Sequence, residues 1–155
     1  MRIFVPRETA PGETRVSFLP EDVGRLVKSG AEFHIESGLG AALGIADAKY
    51  VSAGATVAAD RNASLGAADL IARLHKPPIE EISLLRKGAI HASFLDPYRT
   101  PEYARAMNDR GVSAISLEMI PRTTLAQKMD VLSSQASIAG YAAVVLAASR
   151  LDRIL

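Results

Sequence analysis

The sequence predicts an α/β domain of the doubly wound kind, with a mostly parallel sheet carrying helices on both faces. Three observations lead there. Short β-branched or apolar runs recur along the chain, each parted from the next by a segment of helical character. A glycine stands before several runs, at Gly30-Ala31, Gly54-Ala55, Gly88-Ala89 and Gly111-Val112, where it would end a helix and turn the chain into a strand. Strands alternating with helices are joined most simply by crossovers that leave neighbouring strands parallel and covered on both sides.

The clearest strands fall at residues 3–5, 33–35, 69–74, 89–93 and 114–117. Between the first two, Pro20 suits a first helical position, and Glu21 and Asp22 favour the positive end of the helix dipole. Val23, Leu26 and Val27 then form an apolar stripe that closes at Gly30. Further helices are expected at residues 46–53, 79–85 and 101–109. A final helix starts near Ser133 or Ser134 and runs through Ala-rich sequence past Gly140. No glycine, asparagine or proline stops it, so the expectation is a helix still running at the last residue, as in a partial protein.

Composition narrows the function classes. The 155 residues suffice for one hydrophobic core that buries roughly 70% of the unfolded chain's surface. Hydrophobic residues make up 48% and charged residues 23%, which places the chain among globular proteins rather than disordered ones. A net charge of +1 offers no electrostatic case for nucleic acid or an acidic membrane surface. Without cysteine there is no disulfide framework, thiolate metal site or cysteine nucleophile, in keeping with a cytoplasmic protein. His34, His75 and His91 lack ligand spacing, so no metal site is expected. His91, in an apolar strand, reads as a core histidine. The N-terminus meets Pro6 and charged residues too soon for a signal peptide. The most apolar window, residues 138–148, is shorter than the roughly 20 residues that span a bilayer, so direct membrane insertion is not expected.

Gly38-Leu39-Gly40-Ala41-Ala42-Leu43-Gly44 follows a strand in the manner of a dinucleotide fingerprint, but its spacing is G-x-G-x-x-x-G. No substantial helix can follow before Asp47, and only Asp60 stands near the ribose-binding acidic position. Turn formation and close packing account for the three glycines. The expected architecture is therefore a Rossmann- or flavodoxin-like lobe without the G-x-G-x-x-G loop.

Chemistry concentrates in residues 121–141, where Arg122, Gln127, Asp130, Ser133 and Ser134 lie in one polar loop leading into the last helix. Arg and Gln side chains can hydrogen-bond an amide or carboxylate, and an Asp can accept bonds from sugar hydroxyls. By themselves these residues fit equally a surface arginine and a helix cap made by Asp130 and Ser133.

The pattern Pro121-Arg-x-Thr-x-Ala-Gln127-x-x-Asp130-x-Leu-Ser-Ser134, followed by Ile138-Ala-Gly-Tyr141, resembles a conserved loop in the NAD(H)-binding alpha subunit of proton-translocating NAD(P) transhydrogenase. The opening Arg2-Ile-Phe-Val-Pro-Arg-Glu8, with Gly12-Glu-Thr-Arg-Val-Ser17 and Pro20-Glu21, is similar to the N-terminus shared by that family and the alanine dehydrogenases. So are the 38–44 turn, Ala53-Gly54-Ala55 and Ser93-Phe-Leu-Asp-Pro97. The resemblance runs over essentially the whole chain but only the first stretch of the family's component. It implies that residues 1–155 are one N-terminal lobe, with the dinucleotide-binding lobe beyond the chain end.

From the resemblance, Arg122 contacts the nicotinamide carboxamide, Gln127 orients the nicotinamide and its ribose, and Asp130 with Ser133 completes the network. The implied role is positioning for direct hydride transfer from NADH to NADP⁺, with no side chain acting as acid or base. Implied partners are a membrane component that moves protons, an NADP(H)-binding component and a second copy in a homodimer, which places the chain in the cytoplasm, peripheral to the inner membrane. The alternatives are an alanine dehydrogenase-like lobe for an oxo acid, and a non-catalytic binding module. For the first, Arg15 matches the substrate-carboxylate arginine, but His75 replaces the expected lysine, Asp96 the catalytic histidine, and only Lys76 is at hand as a substitute cation.

Overall fold

A computed structural model describes residues 1–151; the last helix, expected to run on to residue 155, already ends at Arg150 with Leu151 extended, and the residues after 151 lie outside the described ones. The elements in chain order are β1 (Arg2–Val5), α1 (Pro20–Lys28), β2 (Glu32–Ile35), α2 (Asp47–Ser52), β3 (Thr56–Val57), α3 (Arg61–Ala67), β4 (Leu70–His75), β5 (Ile90–Phe94), α4 (Pro101–Arg110), β6 (Ser113–Ser116) and α5 (Val131–Arg150). They belong to two compact units, residues 1–116 and 117–155, each described by itself.

In the first unit the six strands form one sheet in the order β3-β2-β1-β4-β5-β6, and every pair is parallel. Alternation along the strands decides which helix goes where. Ile3, Val5, Phe33 and Ile35 face one side, where Val23 of α1 and Tyr50 of α2 cover them. Phe4, Ile71 and Ala89 face the other, against Leu65 of α3, Met107 of α4 and Ile82 of the segment before β5. Helices therefore lie on both faces, as expected.

The glycine punctuation holds at all four strand entries, where Gly30, Gly54, Gly88 and Gly111 have positive φ. Gly54 shows why glycine is required: its φ is +101°, and a Cβ there would stand 2.8 Å from Val27 Cγ1. At the start of α1, Asp22 reaches back to accept the Leu19 N–H at 3.1 Å.

Further elements depart from expectation. Residues 79–84 form a 3₁₀ segment rather than an α-helix, closed by short-range bonds such as Glu81 N–H to Pro78 O at 3.0 Å and Leu85 N–H to Ile82 O at 3.2 Å. One short turn is enough to carry Ile82 into the core before the chain returns to β5. The chain also contains α3, which the pattern analysis did not single out, and β3, which it marked only by the strand entry at Gly54-Ala55. Asp60, weighed above as a ribose ligand, instead caps α3 by accepting the Ala63 N–H at 2.7 Å.

Candidate functional site

The sequence-derived candidates fall into both units. In the first, the loops after β1 and β2 enclose an open cavity of about 430 Å³, lined by Arg7, Glu8, Glu13, Arg15, Gly38 and Ala41 among others. It sits at the carboxyl ends of the strands, where doubly wound sheets present their crevice. Two carboxylates organise this rim. Glu8 accepts the backbone N–H groups of Leu74 and, at 3.3 Å, His75 at the end of β4. Glu13, largely buried, grips both substrate-side candidates. Its Oε1 accepts the Arg15 N–H at 2.8 Å and Nε–H at 2.9 Å; its Oε2 meets Arg15 Nη2 at 2.6 Å and His75 Nε2 at 2.8 Å. These bonds, above all those from the Arg15 side chain, hold the Glu13 carboxyl well below the usual carboxylate range.

The neighbouring cation does not join them. Lys76 follows His75 in an extended segment, so its side chain leaves on the other side, where Nζ donates to Thr100 Oγ1 at 3.3 Å and lies 5.3 Å from the centre of the Tyr103 ring. Asp96, just past β5, has φ +49°, and its carbonyl accepts the Arg99 and Thr100 N–H groups, so it makes the turn into α4. Arg15 and His75 are thus brought together with Glu13, while Lys76 is turned away from them.

Beneath this rim lies a charge network that pattern analysis missed, because its members are far apart in sequence. Glu36 pairs with Arg61, Arg61 with Glu81 at 2.9 Å, and Glu81 with the buried Arg73 at 3.1 Å. It ties the ends of β2 and β4 to α3 and the 79–84 turn. His91 is the core histidine expected, stacked beside Ser93 on the same face of β5, with Nδ1 3.5 Å from Ser93 Oγ. Burial, reinforced by the Arg73 charge, lowers its pKa to about 3, so the imidazole is neutral. Its Nε2 and the Nε of Arg73 find no hydrogen-bond partner among the described residues.

The Gly38–Gly44 segment is built for packing. Residues 41–43 make a single 3₁₀ turn that ends at Gly44 with φ +69°. At Gly40 a Cβ would fall 2.7 Å from Ile45 Cβ and 3.0 Å from Tyr50 Cε2. The Gly38 N–H that a phosphate would need is already bonded to the Asp47 carboxylate at 2.9 Å.

In the second unit, residues 121–130 fold on themselves through short-range bonds: Thr123 N–H to Pro121 O at 3.0 Å, Ala126 N–H to Thr123 Oγ1 at 3.3 Å and Met129 N–H to Ala126 O at 2.8 Å. Asp130 is the N-cap of α5. Its Oδ1 accepts the N–H groups of Leu132 and Ser133, both at 3.0 Å, and its Oδ2 accepts the Ser133 hydroxyl at 2.7 Å. The Ser133 hydroxyl contributes most to holding the Asp130 carboxyl below its ordinary value, and the Arg122 charge adds to it. Arg122 and Gln127 are exposed. The unit thus brings Asp130 and Ser133 into contact, keeps Arg122 within electrostatic reach of them, and leaves the Gln127 amide open.

Residues 4–139 match the model of the alanine dehydrogenase/PNT N-terminal domain. The chain belongs to that family. It is 37% identical over 153 residues to the NAD(P) transhydrogenase subunit alpha of Cereibacter sphaeroides, a match covering 99% of this chain and 29% of that protein. It is 31% identical over 153 residues to the alanine dehydrogenase of Bacillus subtilis, covering 99% of this chain and 39% of the other. The crystal structure of transhydrogenase from Sinorhizobium meliloti superimposes with a TM-score of 0.89 at 40% identity, covering 99% of this chain and 46% of that one. This alanine dehydrogenase/PNT N-terminal domain therefore spans less than half the length of the relatives it matches.

Proposed function

We propose that this chain is the first lobe of the NAD(H)-binding component of an NAD(P) transhydrogenase, and that the 121–134 loop positions the nicotinamide of a coenzyme held mainly by a second lobe. The observation that carries the reading is the state of that loop. Asp130 and Ser133 are locked to one another at the start of α5, while the Arg122 guanidinium and the Gln127 amide stand open beside them. A carboxylate offers about four lone-pair sites. The cap takes two on Oδ1 and one on Oδ2, so one acceptor site on Asp130 remains for a sugar hydroxyl. Capping and coenzyme contact are compatible in the same carboxylate.

The residues present suit the nicotinamide end of NAD(H) and not its phosphates, since the only glycine-rich turn among the described residues is filled by its own packing. NAD(H) supplies the hydride. What this chain supplies is orientation: Gln127 offers a donor and an acceptor to the carboxamide or ribose, Arg122 a planar donor fork, and Asp130 with Ser133 a fixed anchor. Partners in this reading are an NADP(H)-binding component, a proton-translocating membrane component and a second copy of the chain. The lobe works in the cytoplasm beside the inner membrane.

The oxo-acid reading is disfavoured by the rim of the first unit. Glu13 already engages both Arg15 and His75, and Lys76 points toward Thr100 and Tyr103. Titration with NADH tests the proposal: the 155-residue chain alone is expected to bind weakly or not at all, and its fusion to the remainder of the Sinorhizobium meliloti protein to bind well. Tight binding by the isolated chain contradicts it.

A further inference from the structure

The end of β4 holds one residue more than its neighbour. Ala72 stands opposite Ala92 and His75 opposite Phe94, so Arg73 and Leu74 together face the single Ser93 of β5. Two residues against one make a β-bulge, a feature rare between parallel strands. Its consequence is a change of phase. Before the bulge, Ile71 and Arg73 point to the side of α3 and α4, Ile71 into the core there and Arg73 to Glu81, while Leu70 packs on the side of α1 and α2. Strict alternation would then send His75 toward α4 and Lys76 toward the loop before α1. The structure has them the other way round. His75 Nε2 lies 2.8 Å from Glu13 Oε2 in that loop, and Lys76 Nζ reaches Thr100 Oγ1 at 3.3 Å and the Tyr103 ring of α4. A slip of one residue exchanges the faces of the side chains that follow it.

A bulge also takes backbone groups out of the ladder. Here the N–H groups of Leu74 and His75 both go to the Glu8 carboxylate, 66 and 67 positions away in sequence. The pairing of β1 with β4 covers Leu70 and Ile71, and Glu8 lies just beyond the end of β1. Its two oxygens thus serve the end of β4 where the backbone of β1 no longer does, and a charged acceptor makes such bonds stronger than a neutral one.

We propose that Glu8 is a positioning residue: by holding the bulge of β4 it selects which cation the rim presents. The titratable His75 is kept beside Glu13 and Arg15, and Lys76, charged throughout the physiological range, is kept away from them. Glu13 then faces one permanent positive charge, Arg15, where Lys76 would make a second. The bulge therefore sets the charge that the cavity offers to a small anion. All of these residues belong to the first unit, and the selection stands whether or not the 121–134 loop touches a coenzyme.

Deleting Leu74 removes the extra residue, and NMR of Lys76 reads the outcome. In the parent chain the Lys76 ε-methylene protons are expected to be shifted upfield by the Tyr103 ring current, a shift that Tyr103→Leu abolishes. In the deletion variant that shift is expected to be lost, and nuclear Overhauser effects between the His75 and Tyr103 rings to appear. A parent without the shift, or a folded deletion variant that keeps it, overturns the inference. If the deletion variant does not fold, Glu8 decides. Glu8→Ala is expected to speed exchange of the Leu74 and His75 amides at least 10-fold and to erase the Lys76 shift, while Glu8→Gln, which keeps one acceptor oxygen, restores part of both. Unaltered amides in Glu8→Ala overturn the inference, and so does faster exchange with the Lys76 shift intact, because Glu8 would then be an acceptor that selects nothing.

Discussion

Replacing Gly40 by alanine adds one methyl group at the most crowded glycine of the first unit. Its Cβ would lie 2.7 Å from Ile45 Cβ, 2.8 Å from the Ile45 carbonyl oxygen and 3.0 Å from Tyr50 Cε2. None of these atoms is free to retreat. The Ile45 N–H is bonded to the Gly40 carbonyl at 3.0 Å, and the fully buried Tyr50 is tethered through its hydroxyl to Phe18 O at 3.1 Å. Overpacking a well-packed site costs about 1–3 kcal/mol, and the fixed backbone neighbour puts Gly40→Ala at the upper end, about 3 kcal/mol. Gly44→Ala is the control. Nothing lies within 4 Å of its Cβ, so only its φ of +69° counts, for about 1–2 kcal/mol. Urea unfolding followed by circular dichroism is expected to show a lower midpoint with unchanged slope for both, and the larger fall for Gly40→Ala. A Gly40→Ala protein within about 0.5 kcal/mol of the parent would refute the packing account of this turn.

Two further outcomes follow from the buried polar groups. The neutral His91 has a folded pKa of about 3 against 6.5 for an exposed imidazole, so the unfolded chain binds the extra proton first. Its contribution is complete above pH 6.5 and drains away as the pH falls toward 3, by about 2 kcal/mol between pH 6.5 and 5. The depressed Glu13 acts in the same direction below its ordinary value of 4.5. Unfolding free energies of His91→Leu should therefore be flat from pH 7 to 5, and a slope equal to the parent's would count against a neutral buried His91. Removing the carboxylate in Glu81→Ala strips the buried Arg73 of its paired anion and is expected to cost about 3–5 kcal/mol by thermal or urea unfolding; a loss below about 1 kcal/mol would show that the pair is solvated.

How far the sequence could be read depended on how local each feature is. The parallel sheet was legible because its signals are local: β-branched runs, and glycines such as Gly54 and Gly111 whose positive φ ends a helix before a strand. The 38–44 turn was legible by spacing, one residue too long for a phosphate loop, and Gly40 supplies the physical reason. α3 was not, since Asn62, Ser64 and Gly66 weaken its helical pattern, although Asp60 before it offered a cap signal. The 79–84 turn reads as an α-helix because periodicity alone does not separate a short 3₁₀ segment from an α-helix of the same length. At the rim, Arg15 and His75 stand out by type, but Glu13, which controls both, is bonded to a residue 62 positions away, and nothing periodic announces that. Asp130 was visible as two competing readings; the geometry shows the cap, and it leaves one acceptor site of the carboxylate unused by the cap.

The central claim is that the loop orients a ring rather than holding a coenzyme. It is tested most directly by Gln127→Ala in the fusion with the second lobe, measuring the NADH dissociation constant by fluorescence and the single-turnover rate of hydride transfer to an NADP⁺-loaded partner component. The account predicts a rate lowered at least 100-fold with a dissociation constant changed less than threefold. Equal losses in both, or an unaltered rate, would contradict it.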